Sequence, residues 1–339
     1  MDLVVANADK DRLLEIAESE GLLHESEPEL DGCILFAPGD NTRTRAFLKV
    51  QDGCDNRCTF CITTIARGVG RSLPADTLLH QIRDLRGLGY LEVVLSGVHL
   101  GSYGHDQGDR RGLESLIRRI LRETDIPRLR LSSLEPWDLD ADFFQVFDED
   151  RVLPHLHLPL QSGCDQTLKR MARRTSRAEF SRLVESARNA SPEIAITTDI
   201  ITGFPGETND EFEESIAFVQ NMAFSRLHVF RYSRRGGTLA ASMPDQVPNP
   251  IAQERSRRMH ELGGELENRF NSTLVGHTYD VLWETAEDHG ESLRWSGLTP
   301  NYVRVMTTTS TDEDLANQIT PTEIVETAPG GLVGKILNS

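Results

Sequence analysis

The run Phe47-Leu-Lys-Val-Gln-Asp-Gly-Cys54-Asp-Asn-Arg-Cys58-Thr-Phe-Cys61, continuing into Ile65-Ala-Arg-Gly-Val-Gly-Arg-Ser72, places three of the chain's five cysteines within eight residues at C-x3-C-x2-C spacing. Thiolates at that density suit a shared metal, either iron–sulfur or zinc. Four thiolates would close a zinc tetrahedron or fully ligate a four-iron cluster, whereas three leave one position open to another ligand. Phe60 stands directly before Cys61 and offers an apolar ring. The plainer alternatives are a zinc knuckle completed by His80 or His99, although no second C-x2-C half is present, and a disulfide framework, which a long chain poor in cysteine disfavours.

The 339 residues are enough for two or three domains, and a hydrophobic content of 38% can fill real cores. No run approaches the ~20 apolar residues of a membrane helix, and Met1-Asp-Leu-Val-Val-Ala-Asn7 is not a signal-peptide opening. Clustered free thiols fit a reducing cytoplasm, so a cytoplasmic protein with no membrane partner is expected. The net charge of −17 argues against general affinity for nucleic acid, DNA included, because non-specific binding is phosphate neutralisation. Arginines nevertheless gather at 170, 173, 174 and 177, at 226, 231, 234 and 235, and at 255, 257 and 258, while lysine occurs only at 10, 49, 169 and 335. Solvated helix faces and scattered ion pairs account for most such arginines.

From Arg45 onward, strand-like and helix-like stretches alternate, which marks a parallel α/β sheet or barrel. Strands are predicted near 46–51, 92–96, 128–132, 155–160, 194–201 and 226–231. Helices are predicted from Pro74, with Ser72 near its cap and Gly89 as its stop, then over 113–122, 141–147, 166–190 and 210–222. Six units are two short of a closed eight-fold barrel and leave a lateral opening. Barrel enzymes build their sites at the C-terminal ends of the strands, so Cys54, Gly97, Glu135, Gln161 and Gly203 should converge on one mouth. A helix running to about Phe270 precedes 272–339, where short strands and glycine turns predict a small antiparallel barrel of the kind that often binds oligonucleotides. Residues 1–44 read as a strand at Leu3-Val-Val, a helix over 10–20 and a polar linker, with Cys33 an incidental thiol.

Gln51-Asp-Gly-Cys54…Cys58-Thr-Phe-Cys61…Ala66-Arg-Gly68…Arg71-Ser72, Leu158-Pro-Leu-Gln-Ser-Gly163 and Asp199-Ile-Ile-Thr-Gly-Phe-Pro-Gly-Glu-Thr208 together resemble the methylthiotransferase branch of the radical S-adenosylmethionine (SAM) enzymes. The segments Leu95-Ser-Gly-Val-His-Leu-Gly-Ser-Tyr-Gly104 and Val229-Phe-Arg-Tyr-Ser-Arg-Arg-Gly-Gly-Thr238 are similar to those of the threonylcarbamoyladenosine tRNA methylthiotransferases (MtaB-like). The resemblance implies an α/β fold: a partial (β/α)6 radical SAM barrel over 45–271 followed by an OB-like TRAM RNA-binding barrel over 272–339. It implies that Cys54, Cys58 and Cys61 hold a [4Fe–4S] cluster whose open iron takes SAM, and that one electron then yields a 5′-deoxyadenosyl radical that abstracts hydrogen. It places Phe60, Gly97, Glu135, Gln161, Arg174 and Gly203 about SAM, with Arg174 toward its carboxylate. The implied reaction adds a methylthio group to C2 of N6-threonylcarbamoyladenosine beside the anticodon of a tRNA. A flavodoxin or ferredoxin would donate the electron.

The same resemblance implies an N-terminal domain whose own three cysteines hold an auxiliary [4Fe–4S] cluster, the source of the sulfur. Val4-Val5-Ala6-Asn7 resembles only the end of that domain, so 1–44 reads as its remnant plus linker, in a fragment or a natural short form. Cys164 stands where the family has a small residue and does not replace those ligands. Two other readings follow: a single-cluster radical SAM enzyme acting on RNA by another reaction, and a non-catalytic RNA-binding protein.

Overall fold

The computed structural model describes residue 9, residues 12–19, residue 38 and residues 44–337. The predicted strand at 3–5, most of the linker and Cys33 lie outside the described residues; of the N-terminal helix, α1 (Leu13–Ser19) is described.

Six parallel strands form the body: β1 (Arg45–Asp52), β3 (Glu92–Gly97), β4 (Arg128–Leu131), β5 (His155–His157), β6 (Ala195–Thr202) and β7 (Arg226–Arg231). The two-residue β2 (Arg71–Ser72) pairs antiparallel to the end of β1. The order β2-β1-β3-β4 meets the order β5-β6-β7 through parallel bridges from Leu129 to Val152 and from Ser133 to His157. The sheet curls, because Phe47 of β1 and His228 of β7, the first and last of the six parallel strands, line one cavity. Outward-facing aliphatic residues of the strands pack beneath α3 (Ala75–Gly87), α4 (Gly112–Glu123), α6 (Arg177–Ala190), α7 (Asn209–Met222) and α8 (Asn249–Thr273) as one continuous core.

Several predicted elements are altered by particular atoms. The stretch read as one helix over 166–190 is α5 (Asp165–Arg170) and α6, divided where Ala172 takes a left-handed φ of 56°. A new helix starts at Ser176 because its hydroxyl and the Glu179 side chain cap each other's backbone N–H groups. The strand read to Leu160 stops at His157. Pro159 has no N–H to give, and the Thr198 hydroxyl accepts from Leu160 N at 3.0 Å and donates to Leu158 O at 2.6 Å, in place of ladder bonds. The helix at 141–147 is a 3-10 helix over Ala141–Asp148. Ser72 does not cap α3; it lies in β2, and its hydroxyl donates to Asp106 Oδ1 at 2.6 Å.

After α2 (Thr63–Arg67) and the long α8, the chain closes a five-stranded barrel in the order β10-β12-β11-β8-β9. Its strands are β8 (Thr278–Asp288), β9 (Ser292–Leu298), β10 (Arg304–Ser310), β11 (Ile319–Ala328) and β12 (Gly331–Ile336). Closure uses one parallel pair, β10 with β12, so the barrel is not wholly antiparallel as expected. It is fastened to the first body through charge. Glu92, fully buried, accepts from Arg128 Nε at 2.9 Å and Arg130 Nε at 2.7 Å. Those guanidinium groups then donate to Asp280 O at 2.9 Å and Pro300 O at 3.0 Å. Among the described residues no helix is long and apolar enough to cross a membrane.

Candidate cluster and cofactor site

The cysteine loop begins where β1 ends, at a position that accepts only glycine. Gly53 has φ +77°, and a Cβ there would lie 2.0 Å from Val69 O. Cys54 N then donates to Gly68 O at 3.0 Å, closing the loop on the far side of α2. Thr59 ties the middle down: its N donates to Met171 O at 3.0 Å, its hydroxyl to Arg170 O at 2.8 Å, and its carbonyl accepts from Ala240 N at 2.9 Å. The three thiols stand half-buried around this loop.

Each sulfur has a donor. Asn56 N reaches Cys54 Sγ at 3.4 Å, Thr63 N reaches Cys61 Sγ at 3.4 Å, and Arg173 Nη1 reaches Cys58 Sγ at 3.7 Å. Among the described residues no three His, Cys, Asp or Glu side chains converge as a single metal ion would require. The fit to a cluster rests on donor chemistry: three thiols on one anchored loop, each beside a hydrogen-bond donor of the kind that stabilises cluster sulfur. Burial pushes the Cys58 thiol up, and Arg173 works against that. His99, one proposed completion of a zinc knuckle, loses basicity to burial but more than regains it from the Asp138 carboxylate and the neighbouring Cys54, reaching about 10. His99 Nε2 lies 2.5 Å from Asp138 Oδ2, and its backbone N donates to Gln51 Oε1 at 2.8 Å. His80 is exposed on α3 beside Asp84 and takes no part.

The predicted residues are brought to the strand ends. Gly97 leaves room for Gln51, whose Cβ would be 3.1 Å from a Cβ at that position. Gln161 adopts φ 75° without being glycine, held by donation to Asp199 O at 2.8 Å and acceptance from Ile201 N at 2.9 Å. Side-chain-bearing residues in this region carry strain that the surrounding structure must hold. Gly203 has φ +73° and faces α8, where a Cβ would lie 2.6 Å from Ala252 Cβ. Its N donates at 2.8 Å to Glu207 Oε2, itself clasped by Arg255. Phe60 joins Ile201, Phe204 and Tyr232 in a small apolar cluster, its ring edge-on to Phe204 at 6.4 Å.

Glu135 is held by Arg173, which the sequence does not single out as a site residue. The Arg173 side chain is 1% exposed and donates to both Glu135 oxygens, at 3.2 and 2.6 Å, and to Pro159 O. Arg174, the residue expected to face the cofactor, is exposed with its guanidinium 5.9 Å from the Trp137 ring. Two adjacent arginines before a capping box were visible in the sequence; the left-handed turn at Ala172 decides which one points inward. Of the other arginines, 170, 177, 255, 257 and 258 form the expected ion pairs with Glu211, Glu214, Glu207, Glu254 and Glu213.

A family model described as the radical SAM superfamily matches residues 48–219. The chain is 35% identical over 338 residues to the threonylcarbamoyladenosine tRNA methylthiotransferase MtaB of Bacillus subtilis (strain 168), covering 96% of this chain and 74% of that protein. It is 39% identical over 244 residues to the MtaB of Thermotoga maritima, covering 71% of this chain and 56% of that one. It is 35% identical over 298 residues to the tRNA-2-methylthio-N(6)-dimethylallyladenosine synthase of Erythrobacter litoralis, covering 87% and 66%. The chain thus spans between about half and three quarters of the length of these curated relatives. With the cysteine loop at the mouth of a six-stranded curled sheet, and similarity running along most of its length, this chain belongs to the methylthiotransferases of the radical SAM superfamily.

Proposed function

We propose that the chain carries the radical SAM portion of an enzyme that replaces the C2 hydrogen of N6-threonylcarbamoyladenosine, beside a tRNA anticodon, with a methylthio group. The observation that carries this reading is the joining of Cys58, Arg173 and Glu135 in one contact chain at the strand-end mouth, on a loop bearing two further thiols. Cys54, Cys58 and Cys61 would hold the cluster. When bound, cluster and SAM supply the one-electron chemistry that removes hydrogen.

The chain's own residues supply position. Arg173 neutralises charge beside Cys58 and fixes Glu135, which with Gln161 would meet the ribose; Phe60 and the backbone at Ile201–Gly203 would flank the adenine; Gly97 keeps the wall low. Arg174, at the rim over Trp137, is left for the outer edge of the cofactor. The sulfur would come from the auxiliary cluster of the family's N-terminal domain. The terminal barrel would hold the anticodon stem-loop, a small acidic electron-transfer protein such as a flavodoxin or ferredoxin would reduce the cluster, and a reducing cytoplasm would protect the thiols. Residues 45–271 and 272–339 would be the corresponding domains.

Anaerobic reconstitution with iron and sulfide, followed by dithionite, SAM and tRNA, tests this reading. About four irons per chain and release of 5′-deoxyadenosine are expected, both lost in Cys58→Ala, with a methylthio nucleoside by mass analysis only when a domain carrying the auxiliary cluster is supplied as the sulfur source. Zinc in place of iron, or no SAM cleavage, overturns it.

A further inference from the structure

Beneath the mouth, the curled sheet encloses a cavity of about 320 Å³. Each of the six parallel strands contributes to its wall: Phe47, Val94, Arg130, His155, Thr197 and His228. The floor is the turn between β9 and β10, with Asn301 and Tyr302 inserted from the small barrel. The cavity and the mouth share the same inner strand faces. Phe47 is four positions before Gln51 and Thr197 four before Ile201, while Leu131 and His157, the last residues of β4 and β5, carry the cavity wall up to the strand ends. Ser133 on its wall is two residues from Glu135.

The lining is mostly apolar, and a few polar atoms set into it lack partners. Among the described residues, ten buried side-chain nitrogen or oxygen atoms lack a hydrogen-bond partner, and three of them, Ser132 Oγ, His155 Nδ1 and Asn301 Nδ2, belong to residues that line this one cavity. His155 and Asn301 are 4% and 1% exposed. Leaving such groups unsatisfied costs about 1–3 kcal/mol each, so the arrangement is suited to a ligand that completes it. Asn301 Nδ2 can only donate; Ser132 Oγ and His155 Nδ1 can donate or accept. The guanidinium groups of Arg226 and Arg304 border the space beside one carboxylate, Glu267, while that of Arg130 on the wall is already paired with Glu92.

The geometry points to this cavity as the pocket that receives the N6 substituent of the substrate base, and to a substituent that is polar and carries a carboxylate; this rests on the proposed methylthiolation of a tRNA adenosine. A base presenting C2 at the mouth and its substituent down the lumen brings a urea carbonyl, a hydroxyl and a carboxylate to the three unpartnered atoms and the arginines. A dimethylallyl group offers none of these, and seating it would keep every polar atom unsatisfied. Overall identity does not separate the two chemistries, since relatives named for each match at 35%. The discrimination is therefore assigned to Ser132, His155 and Asn301.

The test compares three synthetic anticodon stem-loops, identical except for threonylcarbamoyladenosine, dimethylallyladenosine or plain adenosine at the target position, with binding to the full chain read by fluorescence anisotropy. Wild type is expected to bind the threonylcarbamoyl RNA about tenfold or more tighter than the other two, the worth of one charge-assisted hydrogen bond. Asn301→Asp keeps the Oδ1 that accepts from the Thr299 hydroxyl at 2.6 Å and turns the free donor into a carboxylate oxygen. It should erase the preference for the threonylcarbamoyl RNA. Ser132→Ala, a milder change that still reads the pocket if Asn301→Asp does not fold, should reduce the preference several-fold. RNA binding with no preference in wild type, or an undiminished preference in the variants that fold, overturns the pocket alone. Binding of none of the three RNAs overturns the tRNA-modifying reading and the pocket with it.

Discussion

Arg173 and Glu135 meet fork to fork, with Nη2 2.6 Å from Oε2 and Nη1 3.2 Å from Oε1, and the same Nη1 reaches the Cys58 sulfur at 3.7 Å. One guanidinium thus couples the cluster loop to the end of β4. A lysine ammonium is a point donor and cannot make both contacts in this plane. Arg173→Lys should therefore retain iron but lower reductive SAM cleavage at least tenfold. Arg173→Ala should also destabilise the iron-free chain by on the order of 3 kcal/mol, because a largely buried carboxylate loses its partner. Iron content, 5′-deoxyadenosine yield and a urea melt of the iron-free protein check the three effects.

Gly53→Ala should disable the loop without touching a thiol. The backbone there is left-handed, and the new methyl would collide with Val69 O. A loss of about 2 kcal/mol or more in a denaturant melt is expected, together with a sharp fall in iron taken up on reconstitution. Normal iron loading would show that the loop shifts freely.

Glu92→Gln should loosen the small barrel from the body. Burial alone would raise the Glu92 carboxyl, but Arg130 and Arg128 outweigh it and hold the group below its ordinary range. Removing the charge leaves two buried guanidinium groups uncompensated, a cost on the order of 3–5 kcal/mol. Those guanidinium groups also hold the backbone at Asp280 and Pro300. Limited proteolysis should then cut between α8 and β8 faster than in wild type, and stem-loop affinity should fall.

The acid side of the stability curve should carry the signature of His155. Burial first, then the nearby charges of Arg130, His157 and His228, push its imidazole well below its ordinary 6.5, so the folded state keeps it neutral while the unfolded chain protonates. The unfolded state therefore binds more protons below pH 6.5, and stability is lost as pH falls through that window by up to about 1.4 kcal/mol per pH unit. In His155→Gln the slope between pH 6.5 and 5, measured by urea melts, should flatten. An unchanged slope would assign the acid limb to other groups.

Sequence alone determined the local chemistry and the class of fold. The spacing of Cys54, Cys58 and Cys61 places three thiols on one short loop in any fold, and the alternation of strand and helix patterns, each about the length of one crossover unit, admits few arrangements other than a parallel curled sheet. It also indicated the mouth, since Gly97, Glu135, Gln161 and Gly203 each follow a strand. What only the tertiary structure decided depends on contacts far apart in the chain. Which of Arg173 and Arg174 faces the thiols follows from a left-handed turn at Ala172, where no helical period predicts direction. The early end of β5 follows from a hydroxyl 38 residues away in sequence. The cavity pairs Ser132 and His155 with Asn301 because the Glu92 charge cluster docks a second barrel on the first. No local pattern encodes that meeting, which is a property of long-range packing and buried charge.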